Sequence, residues 1–194
     1  MANEEVLNEE EQNETQKKME KIRKSEKSVK RYQWAILRLL VLIVVIWVLF
    51  FKVIGLTHMP SGDMYPRLDS GDLVMFYRLD KDVKAQDVIV IEKSTPNSDK
   101  KSLYLLRVFA VAGEEVKIDQ NALFVNGNAM VESNIFYSTP AYEGYTEYPL
   151  TLGTDECFVL ADSRDGGTDS RYFGTVKKSE ILGTVITIIR RNNL

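Results

Sequence analysis

The sequence predicts a mainly β, antiparallel domain preceded by one membrane-spanning helix. Two observations carry this reading. Residues 34–56, WAILRLLVLIVVIWVLFFKVIGL, form a single apolar run of 23 residues. After it come seven short segments rich in β-branched and aromatic residues, separated by turn-forming residues.

The first zone, residues 1–31, has no aromatic residue and balances eight Glu against eight Lys and Arg. The signs are segregated. Six Glu between positions 4 and 14 come first, and the basic residues from Lys17 to Arg31 follow. Such a stretch buries too little apolar surface to fold alone. It reads as a charged cytoplasmic tail, solvated over residues 1–15.

The second zone, residues 32–56, reads as the membrane helix. From Leu39 to Phe51 it contains no charged residue, and Arg38 and Lys52 sit where long cationic side chains reach the headgroups. The 23 residues of its apolar run, 34–56, extend roughly 34 Å as a helix, against a hydrocarbon core of about 30 Å. A core helix of a soluble domain would carry more polar residues. A cleaved leader would have a shorter charged region, a shorter apolar run and a small-residue cleavage site. The basic flank before the span, against THMPSGD after it, places the N-terminus in the cytoplasm and the remainder outside. Near-zero mean hydropathy over the whole chain hides this span.

The third zone, residues 57–194, carries 15 basic and 20 acidic residues, a net −5. Strands are expected at 72–79, 87–92, 103–111, 115–118, 122–125, 157–160 and 181–190. Asn126-Gly127 marks a type I′ hairpin. Residues 133–153, rich in Tyr, Pro and Gly, read as a long loop.

Composition excludes several functions. The net charge of −3 over the chain gives no basic footprint for nucleic acid. One cysteine, Cys157, and one histidine, His58, rule out a disulfide framework and a multi-ligand metal centre, so no metal and no cofactor are expected. Cys157 opens an apolar strand and reads as a buried structural thiol.

Two segments carry most of the remaining signal. HMPSGDMYPRLDSGDLVMF (58–76) places a Pro- and Gly-rich turn directly after the span, a pattern that a plain linker also satisfies. LADSRDGGTDSRYFGTV (160–176) holds a doubled Asp-Ser-Arg around Gly166-Gly167. Its simplest reading is a loop pinned by ion pairs among Asp162, Arg164, Asp169 and Arg171.

Together, at this spacing, these segments resemble bacterial type I signal peptidases of the single-anchor, Gram-positive kind, from the span to the C-terminus. The family pattern Pro-Ser-x-Ser-Met-x-Pro-Thr-Leu-x-x-Gly-Asp is met by Pro60, Ser61, Met64, Pro66, Leu68, Gly71 and Asp72. The pattern Tyr-x-Lys-Arg-Val-x-Gly-x-x-Gly-Asp is echoed by Tyr104, Arg107, Val108, Gly113 and Glu114. The pattern Gly-Asp-Asn-Arg-x-x-Ser-x-Asp-Ser-Arg-x-x-Gly is met by Asp162, Arg164, Asp169, Ser170, Arg171 and Gly174. The family cleaves signal peptides at the outer membrane face with a Ser nucleophile and a Lys general base.

The departures from the pattern are informative. The nucleophile position holds Asp63 and the base position Leu106. The Ser that orients the Lys falls at Gly167, the motif's Asn at Ser163, and two motif glycines at Ala110 and Ala161. A Ser/Lys mechanism needs a hydroxyl and a neutral amine in hydrogen-bond reach. Neither residue supplies one. Ser61, whose family role resembles oxyanion stabilisation, has no base near it in sequence. An aspartic dyad of Asp63 with Asp169 is the other arrangement to weigh.

The resemblance therefore implies a non-proteolytic accessory or chaperone. Its peptide groove would comprise Pro60, Ser61, Gly62, Asp63, Met64, Tyr104, Leu105 and Leu106, capturing an extended segment by strand addition. It is similar to the signal-peptidase-like proteins of pilus loci that lack the dyad. That similarity implies exported proteins, pilin subunits and a sortase as partners, with one helix in membrane lipid. The alternatives are an active signal peptidase of non-standard mechanism, and a structural partner that recruits an active enzyme through another surface.

Overall fold

The computed structural model describes residues 2–130 and 138–189. The chain divides into two compact units, residues 1–49 and 50–194.

The first unit is one helix, α1, Ala2–Val48. It runs through residues 2–15, where the sequence predicts a solvated tail. The reason is local: no Gly or Pro interrupts residues 2–48, and Glu, Gln, Lys and Met are strong helix formers. Lys24 pairs with Glu20 one turn earlier, at 2.9 Å and in full solvent, which adds only a few tenths of a kcal/mol. From Trp34 to Leu49 every large apolar side chain is exposed, all round the helix. An apolar helix with no protein against it matches lipid. Among the described residues, one helix is long and apolar enough to cross a membrane.

The second unit begins within what the sequence assigned to the span. A π-helical turn, Leu49–Val53, ends the helical segment, and Ile54–His58 is a strand, β1. Gly55 explains the change. It lies opposite Phe76, and a Cβ on Gly55 would come within 2.1 Å of the Phe76 ring. Residues 54–56 are thus apolar because they join a sheet.

The other strands are β2 Leu73–Tyr77, β3 Val88–Thr95, β4 Ser98–Ala110, β5 Glu115–Asp119, β6 Ala122–Val125, β7 Asn128–Ala129, β8 Leu150–Thr151, β9 Glu156–Leu160, β10 Val176–Lys177 and β11 Ile181–Ile189. All seven expected strands are present. The loop expected at 133–153 contains β8, and its residues 133–137 lie outside the described residues. A short helix, α2, spans Ser170–Phe173. The strands form a seven-stranded sheet, β1-β2-β11-β3-β4-β9-β10, and a four-stranded sheet, β7-β6-β5-β8, antiparallel throughout. Asn126 and Gly127 both have positive φ, 50° and 76°, as a type I′ turn requires.

Alternation sets the core. In β5, Val116 and Ile118 are buried while Glu115, Lys117 and Asp119 face solvent. Three apolar clusters result. One gathers Ile89, Ile91, Leu106, Val108, Cys157, Val159, Ala161, Val176 and Ile181. A second joins Phe109 and Phe158 to the small sheet. The third packs Met59, Met64 and Leu68 on Val74, Phe76, Val90 and Leu105. Cys157 is in the first, and burial pushes its thiol up to about 12, as expected of an inert core cysteine.

β11 crosses the sheet centre between β2 and β3, and its registers shift between Ile181 and Gly183 and between Val185 and Thr187. A Cβ on Gly183 would stand 2.2 Å from the Tyr77 carbonyl oxygen, a backbone atom that cannot step aside. Gly183→Ala is therefore expected to destabilise the fold by about 2 kcal/mol through overpacking. In thermal unfolding of the detergent-solubilised chain this should lower Tm by several degrees.

Candidate functional site

The three segments singled out in the sequence meet in the folded domain. Met59, Met64 and Leu68 anchor residues 59–72 into the third cluster, and the Met59 and Gly71 amides close that loop on Asp72 and Met59 carbonyls, at 2.8 and 3.0 Å. The buried neighbour of Met64 across this cluster is β4, through Leu105. The loop that follows β9 then reaches back, with the Ser163 amide donating to the Asp63 carbonyl at 2.8 Å.

That loop is shaped by buried charge. Asp162 accepts two hydrogen bonds from Arg107 of β4, from Nε at 2.8 Å and from Nη2 at 2.7 Å. Arg107 Nη1 also donates to the Gln86 carbonyl. Asp169 caps α2, and its carboxylate accepts from the Arg171 amide, from Arg171 Nε and Nη2, and from the Ala161 amide. Both Asp169 and Arg171 are completely buried. Arg171 Nη2 also donates to the Arg164 carbonyl at 2.9 Å, and its guanidinium lies 4.4 Å from the Tyr142 ring centroid.

The expected ion-pair set is therefore rearranged. Asp169 and Arg171 pair with each other, but Asp162 takes Arg107 as its partner. Arg164, completely buried, donates to Thr139 Oγ1 at 2.9 Å and stacks over Phe109 at 4.8 Å. Tyr142, Thr139 and Gln86 were not legible as site residues. Each sits in a loop without periodic signal, and its role depends on a partner distant in sequence.

The groove expected from eight residues is narrower in its side chains. Pro60 and Gly62 are exposed, and Ser61, Asp63 and Tyr104 are half-buried. Met64, Leu105 and Leu106 are sealed in the core and present no side chain to an incoming chain. The strand alternation that turns Leu106 into the first cluster and Leu105 into the third is the cause.

What remains accessible is backbone. β9 pairs with β4 only at Arg107 and beyond, so among the described residues the edge of β4 over residues 98–106 has no ladder partner on that side. The Val108 amide donates to Asp87 and its carbonyl accepts from Gln86, which directs Val108 toward the β3 side. By alternation the N–H and C=O groups of Leu105 and Leu103 point to the open edge.

Asp63 stands beside that edge. Ser61 Oγ donates to Asp63 Oδ2 at 2.6 Å. Burial raises the Asp63 carboxyl above its ordinary 3.8, the Ser61 hydrogen bond opposes this, and the charge of Asp169 adds to it. The dyad of Asp63 with Asp169 does not form chemically, because Asp169 is committed to Arg171 and the Ala161 amide. Leu106 offers no proton acceptor. His58 is exposed in β1 with its ring against the Gly71 carbonyl, and Cys157 is buried in β9 within the first apolar cluster. Among the described residues, no group of three or more His, Cys, Asp or Glu side chains is placed to hold a metal.

Positions 161 and 167 are sterically linked. A Cβ on Gly167 would come within 2.6 Å of Ala161 Cβ and 2.7 Å of the Ser163 carbonyl oxygen. The methyl of Ala161 thus occupies room that a side chain at 167 needs. The family pattern has the reverse, a Gly at the first position and a Ser at the second.

A family model described as signal peptidase, peptidase S26, matches residues 29–189. Signal peptidase I of Bacillus caldolyticus is 31% identical over 135 residues, covering 63% of this chain and 71% of that protein. A Synechocystis protein named "Probable signal peptidase I-2" is 30% identical over 132 residues, covering 65% of this chain and 58% of its own length. A Staphylococcus aureus protein named "Inactive signal peptidase IA" is 24% identical over 155 residues, covering 76% and 84%. A solved signal peptidase I from Enterococcus faecalis is 28% identical and superposes with a TM-score of 0.40, covering 54% of this chain and 97% of that one.

Two outcomes test this geometry. Gly167→Ser is expected to destabilise the domain by about 2 kcal/mol, and adding Ala161→Gly should return part of that loss; a double-mutant cycle on Tm measures the coupling. For Asp63 the sign runs against stability at neutral pH. A carboxyl whose folded pKa is raised stabilises the fold below its unfolded pKa, and loses that contribution as pH rises through the folded value. Asp63→Asn should therefore unfold at the same or a higher temperature at pH 7, and any advantage should vanish below about pH 3.8.

Proposed function

The chain belongs to the signal peptidase family, peptidase S26, and within it we propose a membrane-anchored, non-proteolytic member that captures an extended segment of an exported protein. One observation carries the proposal. The position of the general base is Leu106, wholly buried among Ile89, Ile91, Val108 and Ala161, and the nucleophile position is held by Asp63. An amine in that apolar cluster is replaced by a methyl-branched side chain that stabilises the core, and proton transfer has no acceptor there.

Capture needs no nucleophile. The open edge of β4 offers backbone donors and acceptors at Leu103 and Leu105, and an added strand satisfies them while its side chains meet Pro60–Asp63. The apolar helix anchors the protein, with its basic flank on the cytoplasmic side and the β-domain on the outer face. Exported surface proteins passing this face are the partners. An accessory role in pilus assembly, with pilin subunits and a sortase, fits the loss of both dyad residues. The name of the Staphylococcus aureus relative supports reading the family as one that admits inactive members.

A second reading has one observation in its favour. The short hydrogen bond from Ser61 to Asp63 places a hydroxyl against a carboxylate. A peptidase using that pair would not need Leu106.

Incubation of the purified chain in detergent with a signal-peptide substrate bearing small residues at the cleavage positions separates the two. No specific cleavage is expected. Cleavage abolished by Ser61→Ala or Asp63→Ala would sink the non-proteolytic reading. Asp63→Ser with Leu106→Lys is expected to remain inactive, since Gly167 leaves the new amine unoriented and misplacement by about 1 Å costs on the order of 100-fold.

A further inference from the structure

We infer that the segment captured on β4 presents a basic side chain, Lys or Arg, to Asp63, and that this pairing selects the register of the captured strand. The inference rests on the capture reading above and specifies its substrate. Its basis is a geometric juxtaposition. Asp63 is half-buried and precedes Met64, which packs in the same cluster as Leu105 on the strand whose edge is open. Its carbonyl is tied to Ser163, just beyond the point where β9 leaves β4. The backbone of Asp63 is thereby fixed to the loop that leaves that edge.

The charges around it are unbalanced. Among the described residues the Asp63 carboxylate is met by the Ser61 hydroxyl, and by no cation. The nearby Arg171 is engaged by Asp169, both fully buried. Asp169 acts on Asp63 as a like charge. A strand laid on β4 removes more water from Asp63. If an apolar or acidic side chain faces it, a carboxylate is left desolvated without a partner, which is unfavourable. A Lys or Arg side chain supplies the missing charge and a donor to the oxygen that Ser61 leaves free. Strand addition alone fixes direction and spacing but not register, because backbone groups repeat along the edge. One charged contact breaks that degeneracy.

The test uses the full chain in detergent and fluorescent host peptides of alternating Ala, Val and Thr. A single Lys is walked along the peptide, with norleucine and Glu at the same positions as controls, and affinity is read by anisotropy. In one register the Lys peptide should bind at least about tenfold tighter than its norleucine twin, the range of a partly desolvated charge-assisted hydrogen bond. Glu should bind weakest there, and added salt should narrow the gap. Asp63→Asn should abolish the Lys preference, chiefly by tightening the norleucine peptide in that register, since no desolvated carboxylate is left unpaired. Equal binding of Lys and norleucine in every register overturns the inference and leaves strand capture standing, as does a Lys preference that survives Asp63→Asn. If no peptide binds in any register, capture itself fails, and this inference with it.

Discussion

The Asp169–Arg171 pair is the interaction on which the site depends. Both residues have no solvent exposure, so the pair is tolerable only because nearly every polar atom is engaged. Asp169 holds its own helix start and the Ala161 amide. Arg171 holds the Arg164 carbonyl, and Tyr142 covers its face. Removing one partner would strand a buried charge at about 3–5 kcal/mol, a large part of a typical domain's stability. Through these bonds one ion pair sets the path of residues 161–171. That path delivers Asp162 to Arg107 and Ser163 to Asp63.

This explains why the frame stays while the chemical groups differ. The Asp-Ser-Arg residues and Arg107 act on the backbone of neighbouring segments, so their loss would unravel the loop. Positions 63, 106 and 167 carry no such duty. Leu106 joins a fully apolar cluster, where a lysine amine would have to be neutral or desolvated. Ala161 and Gly167 have exchanged a Cβ relative to the family pattern, keeping the loop filled without the hydroxyl that would orient an amine. The changes at 106, 161 and 167 remove costs that an active site normally carries, in line with the tension between activity and stability, whereas the half-buried Asp63 carboxylate adds one.

Much of this was legible from the sequence, for physical reasons that differ by element. The seven long strands announced themselves because each has a buried apolar face. β7, β8 and β10 are two residues each and leave no periodicity to read. β1 was hidden because Ile54 and Leu56 continue the hydropathy of the span, and only the crowding of Gly55 on Phe76 distinguishes them. The hairpin of β3 and β4 extends through polar residues 93–102, which pair in solvent without an apolar signature. Motif spacing singled out segments that meet in the folded domain. It did not reveal that Asp162 pairs with Arg107, 55 positions away, or that strand alternation seals Leu105 and Leu106 in the core.

A motif match in such a family therefore reports two separable things. The ion pairs and glycines of the third segment report architecture, since they close loops whether or not chemistry follows. Only the two dyad positions and the residue that orients them report reactivity, and all three differ here. What the retained architecture still constructs is an edge: β9 leaves β4 at Arg107 because Asp162 turns away to meet that same arginine, and the turn is fixed by Asp169 and Arg171. The buried charges that would brace a catalytic loop thus also hold open the backbone of Leu103 and Leu105. The open edge is in this way a consequence of the frame rather than of the residues at the two dyad positions.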